Sequence, residues 1–154
     1  MIFRLAETSD IPQLINLRID YLKEDFGNLS DKEEKEIVNQ LEGFLRENLN
    51  RSLYVFVCED DKNIVSCVFL QKNEVPANHE YLNGKYGTIM NVYTIPSYRR
   101  RGIAQTLLEM AVEKARKENL SALNLKASPM GYPLYKKIGF VDDYLRCKPM
   151  VYKL

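Results

Sequence analysis

The stretch from residue 91 to residue 108 constrains the fold more than any other part of the chain. It reads as an apolar strand, a turn at Pro96, three consecutive arginines, Gly102 and the start of an amphipathic helix. A strand that turns through glycine into a helix leaves backbone N–H groups unpaired at the helix start, and the peptide dipoles make them partly positive. Phosphate binds well there, and flanking arginines strengthen the attraction. The stretch therefore predicts a diphosphate-binding turn.

The composition fits one domain over residues 1–154, with 45% apolar and 28% charged residues. There are 22 basic and 21 acidic side chains, for a net charge of +1. A charge near zero gives no field that would gather nucleic acid or an anionic membrane, so we expect neither partner. The chain also shows no bilayer-spanning apolar run and no signal-peptide pattern at its N-terminus, so we expect it in the cytoplasm.

The cysteines do not predict a disulfide framework or a zinc site. Cys58, Cys67 and Cys147 are odd in number and lack Cys-X-X-Cys spacing. Because Cys58 and Cys67 fall in apolar, strand-like runs, buried packing is favoured over reactivity for both. We expect no bound metal.

Apolar periodicity predicts a strand and two helices in the first third of the chain. Ile2–Leu5 is the strand, and Thr8 is the expected N-cap of a helix that ends near Gly27. Ser30 and Glu33 match a capping box, which predicts the start of a second amphipathic helix. The two helices either border a substrate cleft or cover one edge of a sheet.

Two apolar runs at residues 52–59 and 64–70 predict an antiparallel hairpin, because only a short polar turn separates them. Residues 72–85 read as a loop that contains His79, the single histidine. His79 is either a solvated loop residue or a catalytic base, and the first is favoured because no second metal-type ligand lies nearby in sequence.

The second half of the chain predicts a crossover between parallel strands. A strand, a helix and a strand follow one another between residues 86 and 127, which is the length that a right-handed crossover connection needs. The resulting class is α+β, a three-layer α/β/α arrangement with a mixed, mostly antiparallel central sheet and one parallel pair. The predicted elements are strand 86–94, helix 103 to about 117, strand 121–127, helix 131–137 and closing strands at 140–141 and 148–152.

The first motif that carries chemistry is Arg99-X-X-Gly102-X-Ala104. Gly102 lets a ligand approach the backbone closely, and the small Ala104 does not block it. Successive N–H groups there would point at phosphate oxygens. The chain lacks the P-loop and the three-glycine dinucleotide fingerprint, which excludes both of those sites. A basic helix start at a surface turn is the alternative interpretation.

The second motif, residues 134–140, contains Tyr135 and Gly139 about 30 residues beyond the first. A phenol with an ordinary pKa near 10 can protonate a thiolate leaving group, because thiols have pKa values of about 8–9. From the residues alone, a structural tyrosine on a helix is favoured, since the chain has ten tyrosines.

Together the two motifs resemble those of the GCN5-related N-acetyltransferase (GNAT) superfamily. The first resembles its acyl-CoA pyrophosphate motif, Arg/Gln-X-X-Gly-X-Gly/Ala, and the second its Leu-Tyr-X-X-X-Gly-Phe motif. The order of elements agrees along nearly the whole chain. The resemblance implies an acyl-CoA N-acyltransferase-like fold in a monomer or homodimer. It also implies acetyl transfer from the co-substrate acetyl-CoA to a primary amine of a small molecule or peptide, by direct attack in a ternary complex.

The resemblance also implies roles for individual residues. Tyr135 would be the general acid that protonates the departing CoA thiolate. The backbones of Val92 and Thr94 would pair with the pantetheine arm, and the Val92 N–H would polarise the thioester carbonyl. Asn91 would contact the acceptor, with a structural amide as the alternative. The implied cofactor-binding residues are Val92, Tyr93, Thr94, Arg99, Arg100, Arg101, Gly102, Ile103, Ala104 and Ser128.

One residue departs from the family pattern, and two questions stay open. Ser128 stands where the family commonly has an asparagine that contacts the cofactor, and its hydroxyl reaches less far. The base that deprotonates the acceptor is Glu74, His79, Glu80 or a water relay. The sequence does not name the acceptor.

Two other function classes compete with the acetyltransferase. One is a non-catalytic acyl-CoA-binding sensor or regulatory module. The other is an RNA-binding module that uses the arginines with Tyr93 and Tyr98 as stacking platforms, which the near-zero net charge disfavours.

Overall fold

The apolar strand runs assemble into one mixed sheet in the computed structural model, which describes residues 1–145 and 147–154. Within those residues the strands lie side by side in chain order: β1 Ile2–Leu5, β2 Leu53–Asp60, β3 Asn63–Glu74, β4 Lys85–Thr94 and β5 Leu123–Asn124. Neighbouring strands from β1 to β4 are antiparallel, and β4 and β5 are parallel. The predicted α+β class is confirmed.

Helices cover both faces of this sheet and give the predicted three layers. The helices are α1 Ile11–Phe26, α2 Asp31–Asn48, α3 Ile103–Lys117 and α4 Tyr132–Ile138. The helices α1 and α2 pack on one face around the fully buried Leu14 and Leu45, and α3 and α4 pack on the other face around Leu107. The interior strand β2 is apolar at successive positions because it is buried on both faces.

The start of α1 differs from the prediction, because Asp10 rather than Thr8 organises it. Residues Thr8–Asp10 form a single 3₁₀ turn before α1. The Asp10 carboxylate accepts the Glu7 N–H at 2.7 Å and two N–H groups of Arg4 at 2.7 and 3.0 Å. Thr8 as N-cap is therefore wrong, since an ionised carboxylate with an arginine partner accepts stronger hydrogen bonds than a hydroxyl.

Two local predictions are confirmed. Ser30 and Glu33 form the capping box of α2, with the Ser30 N–H donating to the Glu33 carboxylate at 2.8 Å. The β2–β3 hairpin turns through Asp61 and Lys62, whose φ values of 47° and 63° are those of a tight hairpin turn. The loop after β3 is shorter than predicted and covers residues 75–84, because β3 extends to Glu74 along β4.

The strand β4 contains a β-bulge. Its register with β3 shifts between Cys67 and Phe69, so that Asn91 and Val92 lie opposite a single residue of β3. Asn91 has a φ of 50°, in the left-handed region. A bulge bends its strand and leaves a residue outside the ladder of hydrogen bonds.

The strand β5 is much shorter than residues 121–127. It pairs with β4 only between Gly87 and Leu123 and between Thr88 and Asn124. Beyond Thr88, in the part of the chain that the structure describes, the remaining length of β4 carries no strand on its β5 side. The main-chain edge of β4 is open there.

The two closing strands predicted at residues 140–141 and 148–152 are wrong, since neither segment forms a strand. The apolar side chains of Val141, Met150 and Tyr152 are 80–92% exposed. Short runs rich in β-branched and aromatic residues fit a strand by composition, but only a pairing partner makes them one. Over residues 1–145 and 147–154, none of the helices combines the length and apolarity needed to cross a membrane.

Candidate functional site

A cavity of about 730 Å³ lies where β4 parts from β5. Helix α1, the bulged end of β4, the turn before α3 and the start of α4 supply its walls. The wall residues are Tyr21, Glu24, Asp25, 92–94, 98–100, 102–105, 128–131, 133–135 and Lys137. Segments that lie far apart in sequence therefore meet around one space.

The turn before α3 leaves its backbone accessible. Gly102 has a φ of 78°, which glycine adopts without strain, and no atom lies within 4 Å of the position that a Cβ would take. The first intrahelical bond runs from the Thr106 N–H to the Gly102 carbonyl at 3.1 Å. The N–H groups of the preceding helical residues have no acceptor inside the helix, so they are available to an anion.

Arg99 is already engaged on both sides of its guanidinium. Its Nε donates to the Thr94 carbonyl at 2.8 Å, and its Nη2 donates to the Glu24 carboxylate at 2.6 Å. The guanidinium also lies 5.6 Å from the centroid of the Tyr93 ring. Glu24 is the largest cause that raises the pKa of Arg99. Arg99 thus joins α1 to the end of β4.

The other two arginines behave differently from Arg99. Arg100 lines the cavity and has a φ of 62°, in the left-handed region. Arg101 does not line the cavity; it lies over the Tyr98 ring at 4.8 Å and donates to the Ser97 carbonyl at 2.9 Å. Of the triplet, Arg100 is therefore the side chain best placed to meet an anion at the turn.

Tyr135 lies on α4 and is 8% exposed. Its ring meets Phe140 edge to face, with 6.0 Å between the centroids. A Cβ at Gly131 would lie 2.8 Å from the Tyr135 ring, so this glycine makes room for the tyrosine. Burial, followed by the nearby Tyr21 and Asp25, raises the pKa of Tyr135 to about 12. Among the described residues, the Tyr135 hydroxyl forms no hydrogen bond, and it is free to bind a ligand.

The sequence left open whether α1 borders a cleft, and the structure shows that it does; the individual α1 residues of the wall were missed. Tyr21 donates from its hydroxyl to the Asp25 carboxylate at 3.3 Å, and its ring meets Tyr93 edge to face at 6.4 Å. Glu24 and Asp25 add two carboxylates to the same wall. The available signal was the spacing of Tyr21 and Asp25, which are four residues apart and share one face of the helix.

The three side chains named as candidate bases do not line this cavity. Loop 75–84, which carries His79 and Glu80, is held near the C-terminal end of α3, where the Asn83 amide donates to the Asn119 carbonyl at 2.8 Å. The cavity lies at the opposite end of α3. Glu80 instead lines a second cavity, beside β5 and α4, and Glu74 is the last residue of β3.

The Asn91 side chain is 2% exposed and occupied at both ends. Its Oδ1 accepts from Nη1 of Arg18 at 3.1 Å, and its Nδ2 donates to the Cys67 sulfur at 3.3 Å. Burial raises the pKa of the Cys67 thiol to about 12. Cys58 and Cys67 are both buried and free, as predicted.

Most residues with a predicted cofactor role surround the cavity. Ser128 lies in its wall, with its hydroxyl accepting the Gly131 N–H at 3.2 Å. Arg101 is the exception described above. Within the described residues, no group of three or more histidine, cysteine or carboxylate side chains is placed to hold a metal ion. The predicted cofactor residues in the wall are Val92, Tyr93, Thr94, Arg99, Arg100, Gly102, Ile103, Ala104 and Ser128.

A family model and two solved structures that match this chain are all of acetyltransferases. Residues 12–140 match the model of the acetyltransferase (GNAT) family. A predicted acetyltransferase from Clostridium acetobutylicum, solved with acetyl-CoA, is 28% identical with a TM-score of 0.81, over 96% of this chain and 95% of that one. A GCN5-related N-acetyltransferase from Ralstonia eutropha has the same fold, with a TM-score of 0.82 and 24% identity over 97% of each chain.

A curated relative matches over a shorter length. The uncharacterised N-acetyltransferase ycf52 of Pyropia yezoensis is 30% identical over 61 residues, which are 40% of this chain. The match spans 35% of the length of that relative.

Proposed function

The chain belongs to the acetyltransferase (GNAT) family, and on that premise we propose that it transfers the acetyl group of acetyl-CoA to a primary amine of a small molecule or peptide. We propose residues 1–154 as one catalytic domain that acts in the cytoplasm. One observation carries the proposal: a single cavity joins the open edge of β4, the glycine turn before α3 and the buried Tyr135. A bound acetyl-CoA would supply an activated thioester.

The turn before α3 fits a pyrophosphate. The space at Gly102 is open, and the first residues of α3 and Arg100 line the same cavity. The N–H groups of a helix start have no acceptor inside the helix and are available to a phosphate. Beside it, the edge of β4 fits an extended arm. Main-chain groups of Val92 and Thr94 would pair with the amides of pantetheine, as an added strand would. The bulge places Asn91 and Val92 opposite a single residue of β3. We propose that the Val92 N–H is thereby left outside the ladder, where it would polarise the thioester carbonyl.

Tyr135 is the proposed general acid. With a pKa of about 12, its hydroxyl holds its proton throughout the neutral range and can donate it to the departing thiolate. The burial that raises the pKa of the phenol also raises that of a thiol expelled beside it, because both groups are anionic when deprotonated. On the other side of the cavity, Glu24 and Asp25 would attract a cationic ammonium group.

Thiol release from acetyl-CoA in the presence of a panel of primary amines tests the function. The Tyr135→Phe variant should lower turnover by at least about a hundredfold, which is the usual contribution of a general acid. Its affinity for acetyl-CoA should stay within about twofold, because the phenol is not proposed to hold the cofactor. The matched control is Tyr132→Phe, a tyrosine on the same helix that does not line this cavity.

Unaltered turnover in the Tyr135→Phe variant would remove the assigned role of Tyr135. Binding of acetyl-CoA without turnover on any amine would favour the acyl-CoA-binding sensor instead.

A further inference from the structure

We propose that Arg18 binds an anionic group of the acceptor, so that the preferred acceptors are amines that also carry a carboxylate. This inference rests on the proposed acetyl transfer and names the substrate class of the same site.

Arg18 lies on α1, half-buried between Asn91 and Tyr21. Its Nη1 donates to the Asn91 Oδ1 at 3.1 Å, and its guanidinium lies 5.5 Å from the centroid of the Tyr21 ring. A guanidinium has five N–H donors. Among the described residues, Asn91 is the acceptor that Arg18 contacts, so further donors remain available to a ligand.

The described residues provide Arg18 with no carboxylate within 4.0 Å. The positions three and four residues away on α1 are uncharged, so the helix itself offers no counter-ion; they are Leu14, Ile15, Tyr21 and Leu22. By contrast, Arg4 and Arg99 each hold a carboxylate at 2.6–2.7 Å. A partly buried cation without a partner is unfavourable, and burial accordingly lowers the pKa of Arg18.

The position of Arg18 places this unmatched charge beside the proposed reaction centre. Asn91, which it contacts, directly precedes Val92, and consecutive Cα atoms are about 3.8 Å apart. Tyr21, on which it stacks, lines the cavity. An acceptor whose amine reaches a thioester at Val92 would therefore bring its substituents close to Arg18.

A carboxylate is the group that best fits Arg18. The planar guanidinium binds carboxylates through two parallel hydrogen bonds. The same helix presents Glu24 and Asp25 to the cavity, with Asp25 roughly 10 Å further along α1 at 1.5 Å per residue. Helix α1 thus carries a cation next to the wall residue Tyr21 and two carboxylates within the wall, a pattern that suits an acceptor with both an amine and a carboxylate. Asn91 then acts as a positioning residue that holds Arg18.

Matched pairs of acceptors test this assignment. The pairs are glycine with glycinamide and β-alanine with β-alaninamide, and the members of each pair differ only in that an amide replaces the carboxylate. Each rate is expressed per unprotonated amine. The wild-type protein should prefer the carboxylate member by about tenfold or more in kcat/KM, as expected for a charge-assisted contact. Arg18→Gln should remove this preference by raising KM for the carboxylate members of the pairs. Arg18→Lys should restore part of it, and Arg46→Gln on the exposed face of α2 should leave it unchanged.

Equal use of acid and amide by the wild-type protein would overturn the proposal. So would a preference that survives in Arg18→Gln, or an equal loss of activity on both members, which would mean that Arg18 only supports the bulge.

A binding measurement separates this proposal from the proposed function. Calorimetry on the CoA-saturated protein compares N-acetylglycine with N-acetylglycinamide, and it needs no turnover. If no amine is acetylated, the proposed function fails, and the calorimetry still decides about Arg18. Tighter binding of N-acetylglycine that is lost in Arg18→Gln supports the carboxylate site. Equal binding of the two probes, or no binding of either, overturns it.

Discussion

The carboxylate of Glu24 lies 2.6 Å from the guanidinium of Arg99 and ties α1 to the end of β4. The same guanidinium donates to the Thr94 carbonyl, so a single side chain in the cavity wall joins α1 to β4. A ligand phosphate at this turn would meet Glu24 as a competitor for Arg99. The contact therefore sets the electrostatic conditions under which a cofactor would enter.

Glu24→Gln should strengthen acetyl-CoA binding by about two- to fivefold, because an exposed ion pair of this kind contributes up to about 1 kcal/mol. Removing the carboxylate frees Arg99 and removes a like charge near the phosphates. Calorimetric titration with acetyl-CoA measures the change. Glu34→Gln is the control, since Glu34 pairs with Lys23 of α1 away from the cavity. Weaker binding in Glu24→Gln would show that Glu24 positions Arg99 for the ligand.

Gly102→Ala should lower acetyl-CoA affinity by about tenfold or more, since its methyl group would fill the space proposed for a phosphate. The left-handed φ alone should cost about 1–2 kcal/mol of stability. Gly27→Ala is the control, because Gly27 also has a positive φ, of 92°, with equally open surroundings and no place in the cavity wall. Both variants should melt earlier, and only Gly102→Ala should lose affinity. An unchanged affinity would rule out close approach at Gly102.

Tyr135 should make stability fall at alkaline pH. Its pKa of about 12 in the folded protein exceeds the value near 10 expected in the unfolded chain. The contribution of Tyr135 to the free energy of unfolding is therefore complete below pH 10. It is lost as the pH rises towards 12, because the unfolded chain releases the phenol proton at a lower pH than the folded protein does. Urea unfolding at pH 9 and pH 11 should show a smaller loss in Tyr135→Phe than in the wild-type protein. Equal losses would contradict the raised pKa.

Asp10→Asn should lower the free energy of unfolding by about 3 kcal/mol, as expected when a buried ion pair is broken. Asp10 is 6% exposed, and Arg4 lowers the pKa of its carboxyl. This stability is present above the unfolded pKa of about 3.9 and is lost as pH falls below it. Urea unfolding should therefore show a smaller difference in free energy of unfolding between the wild-type protein and the variant at pH 3 than at pH 7. The exposed Asp143→Asn should change stability little, and a similar loss in both variants would count against a special role for Asp10.

The residues around the glycine turn could be predicted from the sequence because they are contiguous. A strand, a glycine and an apolar stripe fix the turn locally, and the bounds of α3 at Ile103–Lys117 follow from the helical period. The contact between Arg18 and Asn91 could not be predicted, since the two residues meet across 73 residues of chain. No local pattern indicated the bulge at Asn91, because a bulge depends on the register with the neighbouring strand.

The prediction of the two closing strands was wrong for a related reason. Their residues have suitable β propensity, but the sheet that should receive them ends at the two-residue β5. Propensity describes the segment, while pairing depends on an available edge.

The open edge of β4 beyond Thr88 has a consequence for the handling of the protein. Unpaired main-chain groups in the middle of a sheet form a template on which any extended chain can add, including another molecule of the same protein. An arm of acetyl-CoA along that edge would cover the template. The cofactor should therefore act as a solubility aid, and purified protein stored with it should aggregate more slowly than protein stored without it.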